Sequence, residues 1–287
     1  PMPEDSLLEP IVRTPRTSVS TALANSPWAP LVAIGGQHQV LLYNTDTLEL
    51  AGILPFPEGF LSDVKFSRNG KLLLVGGGRG SKTGIAAVYD IAKGERFLSV
   101  GDETDSVLAA DISSDQQWIA VGGPSRLVKI FSTKTGELVH KIKKHTDWVT
   151  ALEFSPDSKF LATGDRNGGL QIWETDGGQE LYTLTGHKGQ ITSVSWRSKD
   201  ILVSASEDGT AKLWKMDEGT LVRTLTTHTG GTLGMKCSGE GSIATCGRDK
   251  TAVVWTVDGS KKSTFTFTDD LPVRVTLSHD GARAIGT

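Results

Sequence analysis

The 287 residues are 37% hydrophobic and 22% charged, with 33 glycines against 11 prolines. That is enough apolar material for a packed core and too little bias for a disordered chain. Lys and Arg number 30 against 33 Asp and Glu, a net charge of -3; no basic arm or stripe offers to neutralise several phosphates, so nucleic acid is not an expected partner. No apolar run approaches the roughly 20 residues of a membrane span, and Pro1-Met2-Pro3-Glu4-Asp5 does not read as a secretory leader. The expectation is a soluble chain, cytoplasmic by default and periplasmic if a signal segment was removed upstream.

In chain order, the first predicted element lies within residues 7–14. Pro10-Ile11-Val12-Arg13-Thr14 resembles Thr220-Leu221-Val222-Arg223-Thr224 and predicts an outer strand. Thr21-Ala22-Leu23-Ala24-Asn25-Ser26-Pro27 then echoes Thr150-Ala151-Leu152-Glu153-Phe154-Ser155-Pro156, opening a strand series that runs to Leu50. Gly76-Gly77-Gly78-Arg79-Gly80-Ser81-Lys82-Thr83-Gly84 looks like a phosphate cradle, but Ser81 rather than Gly precedes Lys82, and Ile85 to Tyr89 reads as a strand rather than a helix. An elongated turn is expected there, with anion binding by Arg79 and Lys82 as the alternative. Asp102, Glu103 and Asp105 form an acidic group that would favour basic partners. Lys141-Ile142-Lys143-Lys144 reads as the solvated face of an edge strand.

The clearest unit follows. Trp148 to Phe154 alternates in polarity, Ser155-Pro156-Asp157-Ser158 is a turn, Lys159 to Gly164 is a second strand, and Arg166-Asn167-Gly168-Gly169 is another turn. Leu170 to Trp173 and Glu180 to Leu184 complete four strands, and the same order recurs from Gln190 to Leu225. Strand-ending aromatics fall at Tyr43, Tyr89, Phe131, Trp173, Trp214 and Trp255, spaced by 46, 42, 42, 41 and 41 residues. A period near 41 fits four-stranded antiparallel propeller blades and excludes helical repeats of about 34 residues. The next aromatic of this series falls past Thr287, so Val273 to Leu277 and Ala282 to Ile285 supply only part of a seventh blade. The fold class predicted is all-β: a seven-bladed propeller occupying 1–287, its closing blade built from both termini, residues 7–14 and 271–287, and incomplete.

Three repeats contain a further coincidence: His187, Ser204, Asp208 and Trp214; His228, Thr245, Asp249 and Trp255; and His145, Thr163, Asn167 and Trp173, where Asn replaces the acid. These motifs resemble those of the WD-repeat family, most closely bacterial WD-repeat domains, and the resemblance extends over nearly the whole chain. It implies that each set is a structural tetrad in which acid, imidazole, hydroxyl and indole satisfy one another's hydrogen bonds. A catalytic Ser-His-Asp reading is disfavoured because the set repeats in consecutive blades and is closed each time by a Trp donor. The first three repeats lack it, with Gln37 and Ser125 at two of the acid positions.

The glycine-rich stretch is also similar to propellers fused to c-type cytochrome modules, although no CxxCH haem motif occurs. Cys237 and Cys246 are expected to be buried free thiols. Three histidines belong to the tetrads; His38 and His279 fall in predicted turns and His140 on an outer strand, and neither a metal site nor a cofactor is expected.

The resemblance implies a non-catalytic scaffold, a monomeric domain within a larger assembly, binding a protein or peptide on the face that carries the tetrad turns. By position, the residues rimming that face are Trp148, Thr150, Gln190, Thr192, Gly231 and Leu233, the turn residues Arg166, Glu207 and Arg248, and Phe60 and Ser62 from the second repeat. Trp148 beside Arg166 has the composition of an interface anchor, unless it is wedged between blades. The competing readings are a ligand-binding or catalytic propeller using its central channel, recognisable by convergent polar groups of perturbed pKa at one mouth, and an architectural domain of a larger, possibly cytochrome-fused, protein.

Overall fold

The computed structural model describes residues 2–3, 8, 20, 22–238, 241–256, 258–268, 270–277 and 284–287. Among these every regular element is a strand, and no helix is long and apolar enough to cross a membrane. The first blade takes β1 (Leu23–Asn25), β2 (Leu31–Gly35), β3 (Gln37–Asn44) and the start of β4 (Leu50–Phe66). The second takes the rest of β4 with β5 (Leu72–Arg79), β6 (Thr83–Asp90) and β7 (Glu95–Glu103). The third is β8 (Ala109–Ile112), β9 (Trp118–Gly122), β10 (Leu127–Ser132) and β11 (Leu138–Lys143). The fourth is β12 (Val149–Phe154), β13 (Phe160–Asp165), β14 (Leu170–Glu174) and β15 (Glu180–Leu184). The fifth is β16 (Ile191–Trp196), β17 (Ile201–Ser206), β18 (Thr210–Lys215) and β19 (Thr220–Thr226). The sixth is β20 (Thr232–Cys237), β21 (Ile243–Gly247), β22 (Thr251–Trp255) and β23 (Lys261–Thr266). A last pair, β24 (Val275–Leu277) and β25 (Ala284–Gly286), stands beyond them.

All neighbours within a sheet are antiparallel and consecutive in sequence. The first strand of each blade packs beside the first strand of the next, from β1 through β4, β8, β12, β16 and β20 to β24, and β24 returns to β1. The fold is a β-propeller ringed around a channel. Thr287 reaches the start of the ring through its hydroxyl, which donates to the Ser20 carbonyl (3.1 Å). The expected outer strand at 7–14 and the turn holding His279 lie outside the described residues apart from Leu8. One difference from the expected order concerns β4, a single 17-residue strand that pairs with β3 over Leu50–Pro55 and again at Phe60, and with β5 over Phe60–Phe66, joining two blades into one seven-stranded sheet.

Burial follows position in the blade. Inner strands are covered on both faces, as in β16, where all six residues are buried, whereas the outer β19 leaves only Leu225 buried. Apolar side chains of one blade interlock with those of the next: Leu152, Phe154 and Trp173 share a cluster with Ala120 and Ile130, and Val203 and Leu213 share one with Met235 and Trp255. Propeller stability therefore lies between blades, each of which has too little depth for a core of its own.

The glycine-rich stretch is a hairpin extended to the pair Arg79↔Thr83. A Cβ on Gly77 would strike the Phe60 carbonyl, and one on Gly84 the Asp105 carbonyl. These glycines permit close backbone approach, a packing role in place of a phosphate cradle. Arg79 and Lys82 stay exposed.

Candidate functional site

In the fifth blade the His187 imidazole, from the loop before β16, lies between the turn after β17 and the middle of that strand. Nδ1 is 2.9 Å from Asp208 Oδ2 and Nε2 is 2.8 Å from Ser204 Oγ, which accepts the Trp214 indole N–H at 2.8 Å. A carboxylate only accepts, so Nδ1 carries the proton; Nε2 then accepts from the serine hydroxyl, whose oxygen is left to accept the indole. Burial holds the His187 pKa below its ordinary value, against the pull of Asp208. Burial would raise Asp208, but hydrogen bonds from Thr210 and His187 outweigh it and bring the carboxyl down to about 2. The sixth blade repeats the arrangement, with His228 2.9 Å from both Asp249 and Thr245, and Trp255 Nε1 2.9 Å from Thr245.

The fourth blade corrects the sequence expectation. His145 Nε2 meets Thr163 Oγ1 at 2.7 Å and Trp173 donates to the same hydroxyl at 2.7 Å, but Nδ1 meets Asp165 Oδ2 at 3.0 Å. Asn167 is exposed and donates to Thr146 Oγ1 at 3.3 Å. Asp165 ends β13 with only 1% of its surface exposed and also accepts the backbone N–H groups of Asn167 (2.9 Å) and Gly169 (2.8 Å). Three donors converge on one point, a demand that a carboxylate meets and an amide, half of whose polar atoms donate, does not.

The repeat model of the WD domain, G-beta repeat, matches residues 136–174, 178–215 and 219–256. The chain carries three WD repeats. No curated protein matches it. Each match takes the outer strand of one blade and the first three strands of the next, and so contains the polar set of the fourth, fifth or sixth blade; in the second blade the aromatic at the matching position, Tyr89, instead donates its hydroxyl to the Pro55 carbonyl (2.5 Å).

In each WD repeat the loop leading into the first strand is hydrogen-bonded to the turn after the second, Arg166 N to Trp148 O, Glu207 N to Gln190 O and Arg248 N to Gly231 O, so these residues share a face. Trp148 is 41% exposed, and the Arg166 guanidinium lies 4.9 Å from its ring centroid, a cation–π stack. Arg248 pairs with Glu207 at 2.7 Å. Phe60 is 58% exposed and tilted against His38, while Ser62 and Gln190 are half-buried. Thr150 and Thr192 depart from the expectation. They line the channel, with Thr150 Oγ1 donating to Ile191 O (2.6 Å) and the buried Thr192 to Ala205 O (3.3 Å), because strand alternation turns them inward from the rim. Gly231 is buried and Leu233 packs against the last interblade cluster. The acidic group is also engaged: Lys129 Nζ binds Asp102 (2.5 Å) and Glu103 (2.8 Å), and Asp105 accepts the backbone of Ser81 and Ser106.

A feature missed by the sequence reading lies on the inner strands. Asp63 accepts Ala110 N (3.1 Å), Asp111 accepts Phe154 N (2.8 Å), Glu153 accepts Trp196 N (3.0 Å) and Ser195 accepts Cys237 N (3.3 Å). The second to fifth blades thus each offer one polar side chain to the backbone of the next. Its signal was a polar residue recurring at one position of otherwise apolar strands. Glu153 Oε2 also holds Lys65 (3.3 Å) and Lys236 (2.5 Å), spanning the channel between three alternate blades. Burial opposes ionisation of Glu153, but Lys236 and Lys65 prevail and hold it at about 2. Burial, reinforced by Glu153 and opposed by Lys65, pushes Asp111 up to about 7.

Proposed function

We propose that the chain is a non-catalytic interaction scaffold that binds a protein or peptide segment on the face carrying the tetrad turns. WD propellers are typically scaffolds, and the polar sets that resemble catalytic triads are spent on structure in three successive blades. The observation that carries the reading is Trp148: a residue wedged between blades would be covered, whereas this one is 41% exposed, with the Arg166 guanidinium over its ring. Stacking of Arg on Trp fixes both side chains before binding, which lowers the ordering cost of an interface. With Phe60, Arg248 and Glu207 it makes a rim of aromatic and charged anchors.

Peptides selected from a display library on the immobilised protein test this. Trp148→Ala with Arg166→Ala is expected to weaken the selected peptides by ~2 kcal/mol or more, about 30-fold in Kd, at an unchanged melting temperature. Peptides that bind the double variant as well as the parent would remove this face from the proposal.

A further inference from the structure

The channel encloses about 830 Å³, within the range of small-molecule sites. Its wall carries six basic side chains among the described residues, Lys65, Arg68, Arg197, Lys199, Lys236 and Arg274, and four acidic ones, Asp63, Asp111, Glu153 and Asp157, in a chain whose net charge is -3. The acids are committed to the fold. Asp63, Asp111 and Glu153 cap the backbone of neighbouring blades, and Asp157 accepts the Ser155 hydroxyl (2.6 Å) and Lys159 N (3.3 Å) within its own turn.

Glu153 meets two lysines with a single carboxylate. Lys65 and Lys236 keep 20% and 35% of their side chains exposed, so within this set of three, positive charges outnumber negative ones, and Asp63 and Asp111 act on Lys65 from further off. Arg68 and Lys199 are exposed and Arg197 and Arg274 half-buried; the latter two also hold contacts of their own.

Arg68, Asp157 and Lys199 sit in the turns between first and second strands, at the ends of the inner strands remote from the tetrad turns. At this mouth Trp28 is 72% exposed, and its indole N–H donates to the Arg68 carbonyl (2.7 Å), which ties the Arg68 turn to the first blade.

We propose that this mouth of the channel is a binding site for a small polyanion, a molecule carrying two or more phosphate or carboxylate groups. A concave wall with an excess of one sign focuses its field into the channel and concentrates counter-ions there. Arginine forks and lysine ammonium groups are the donors that such oxygens take. Because burial, with Glu153 adding to it and Lys65 opposing, raises Asp111 to about 7, that carboxyl carries less than a full charge near neutral pH, and the wall is more positive than its formal count. The site lies on the opposite face from Trp148, so its failure would leave the reading of that face intact.

Titration calorimetry with tripolyphosphate and with citrate, at low and at physiological ionic strength, tests the proposal. Saturable binding to one site that weakens with salt is expected. Tripolyphosphate is the more highly charged probe near neutral pH, so its tighter binding follows charge alone, whereas citrate binding as tightly or more tightly assigns a preference for carboxylate. Arg68→Glu with Lys199→Glu, both at exposed positions, should weaken binding by about tenfold or more, while Arg166→Glu on the opposite face leaves it unchanged. Glu153→Gln should tighten binding, since Lys65 and Lys236 lose their internal competitor; where that variant does not fold, the mouth pair carries the test. No saturable binding of either probe, indifference to the mouth pair, or an equal loss in Arg166→Glu would overturn the proposal.

Discussion

Asp165→Ala is the sharpest test of how the fourth blade is held. The carboxylate is 1% exposed and accepts three donors at 2.8 to 3.0 Å: His145 Nδ1–H and the backbone N–H groups of Asn167 and Gly169. Truncation leaves the imidazole proton buried without a partner and opens the turn between β13 and β14. A stranded buried donor costs ~1 to 3 kcal/mol. The two amides lie nearer to solvent and recover water, so the total comes to roughly 3 to 5 kcal/mol rather than three full penalties. At about 2 °C per kcal/mol for a domain of this size, the melting temperature should fall by roughly 6 to 10 °C. Asn167→Ala removes one long hydrogen bond of an exposed amide and should cost less than about 0.5 kcal/mol.

Acidification supplies an independent check. Burial raises the Asp165 pKa, but hydrogen bonds from His145, Gly169 N and Asn167 N bring it below the ordinary carboxylate value. Its contribution is therefore full above the unfolded pKa and is lost as pH falls through the folded one, so the gap between parent and Asp165→Ala should narrow in acid. Denaturant midpoints across pH measure both effects. An Asn167→Ala variant destabilised as much as Asp165→Ala would refute the reassignment of the acid.

Trp214→Phe removes the donor to Ser204 Oγ and should lower stability by ~1 to 3 kcal/mol; combined with His187→Ala the loss should be less than additive, since both belong to one network, and strict additivity in a double-mutant cycle would contradict that. Asp111 has a folded pKa of about 7 against an ordinary 3.8, so the folded state binds the extra proton: its contribution is full below about 3.8 and lost as pH rises through 7. Asp111→Asn should therefore gain stability relative to the parent between pH 4 and 8, and parallel stability curves would show that Asp111 titrates normally. Burial pushes the Cys237 and Cys246 thiols up to about 12, so neither should react with a thiol reagent at pH 8 until the protein unfolds; labelling followed by intact-mass measurement decides it.

What the sequence determined by itself is everything governed by short spacings. Strand alternation, turn residues and the recurring aromatics are local, and a repeat near 41 residues leaves few architectures able to bury it. The tetrads of the fifth and sixth blades were legible for the same reason, since from Ser204 to Trp214 and from Thr245 to Trp255 the partners lie on one hairpin at fixed register.

Only the tertiary structure decided the rest. Asp165 and Asn167 flank one turn, and the choice between them depends on where the His145 ring, from a different loop, comes to lie. Trp148 fits a hot spot or a wedge equally well in sequence, and its exposure is set by the neighbouring blade. The inward turn of Thr150 and Thr192 depends on where each strand enters the ring. Lys65, Glu153 and Lys236 are separated by 88 and 83 residues; alternation says that each leaves its strand on one side, but only closure of the ring brings the three to one point. Local periodicity fixes which face a side chain takes, and ring geometry fixes what it finds there.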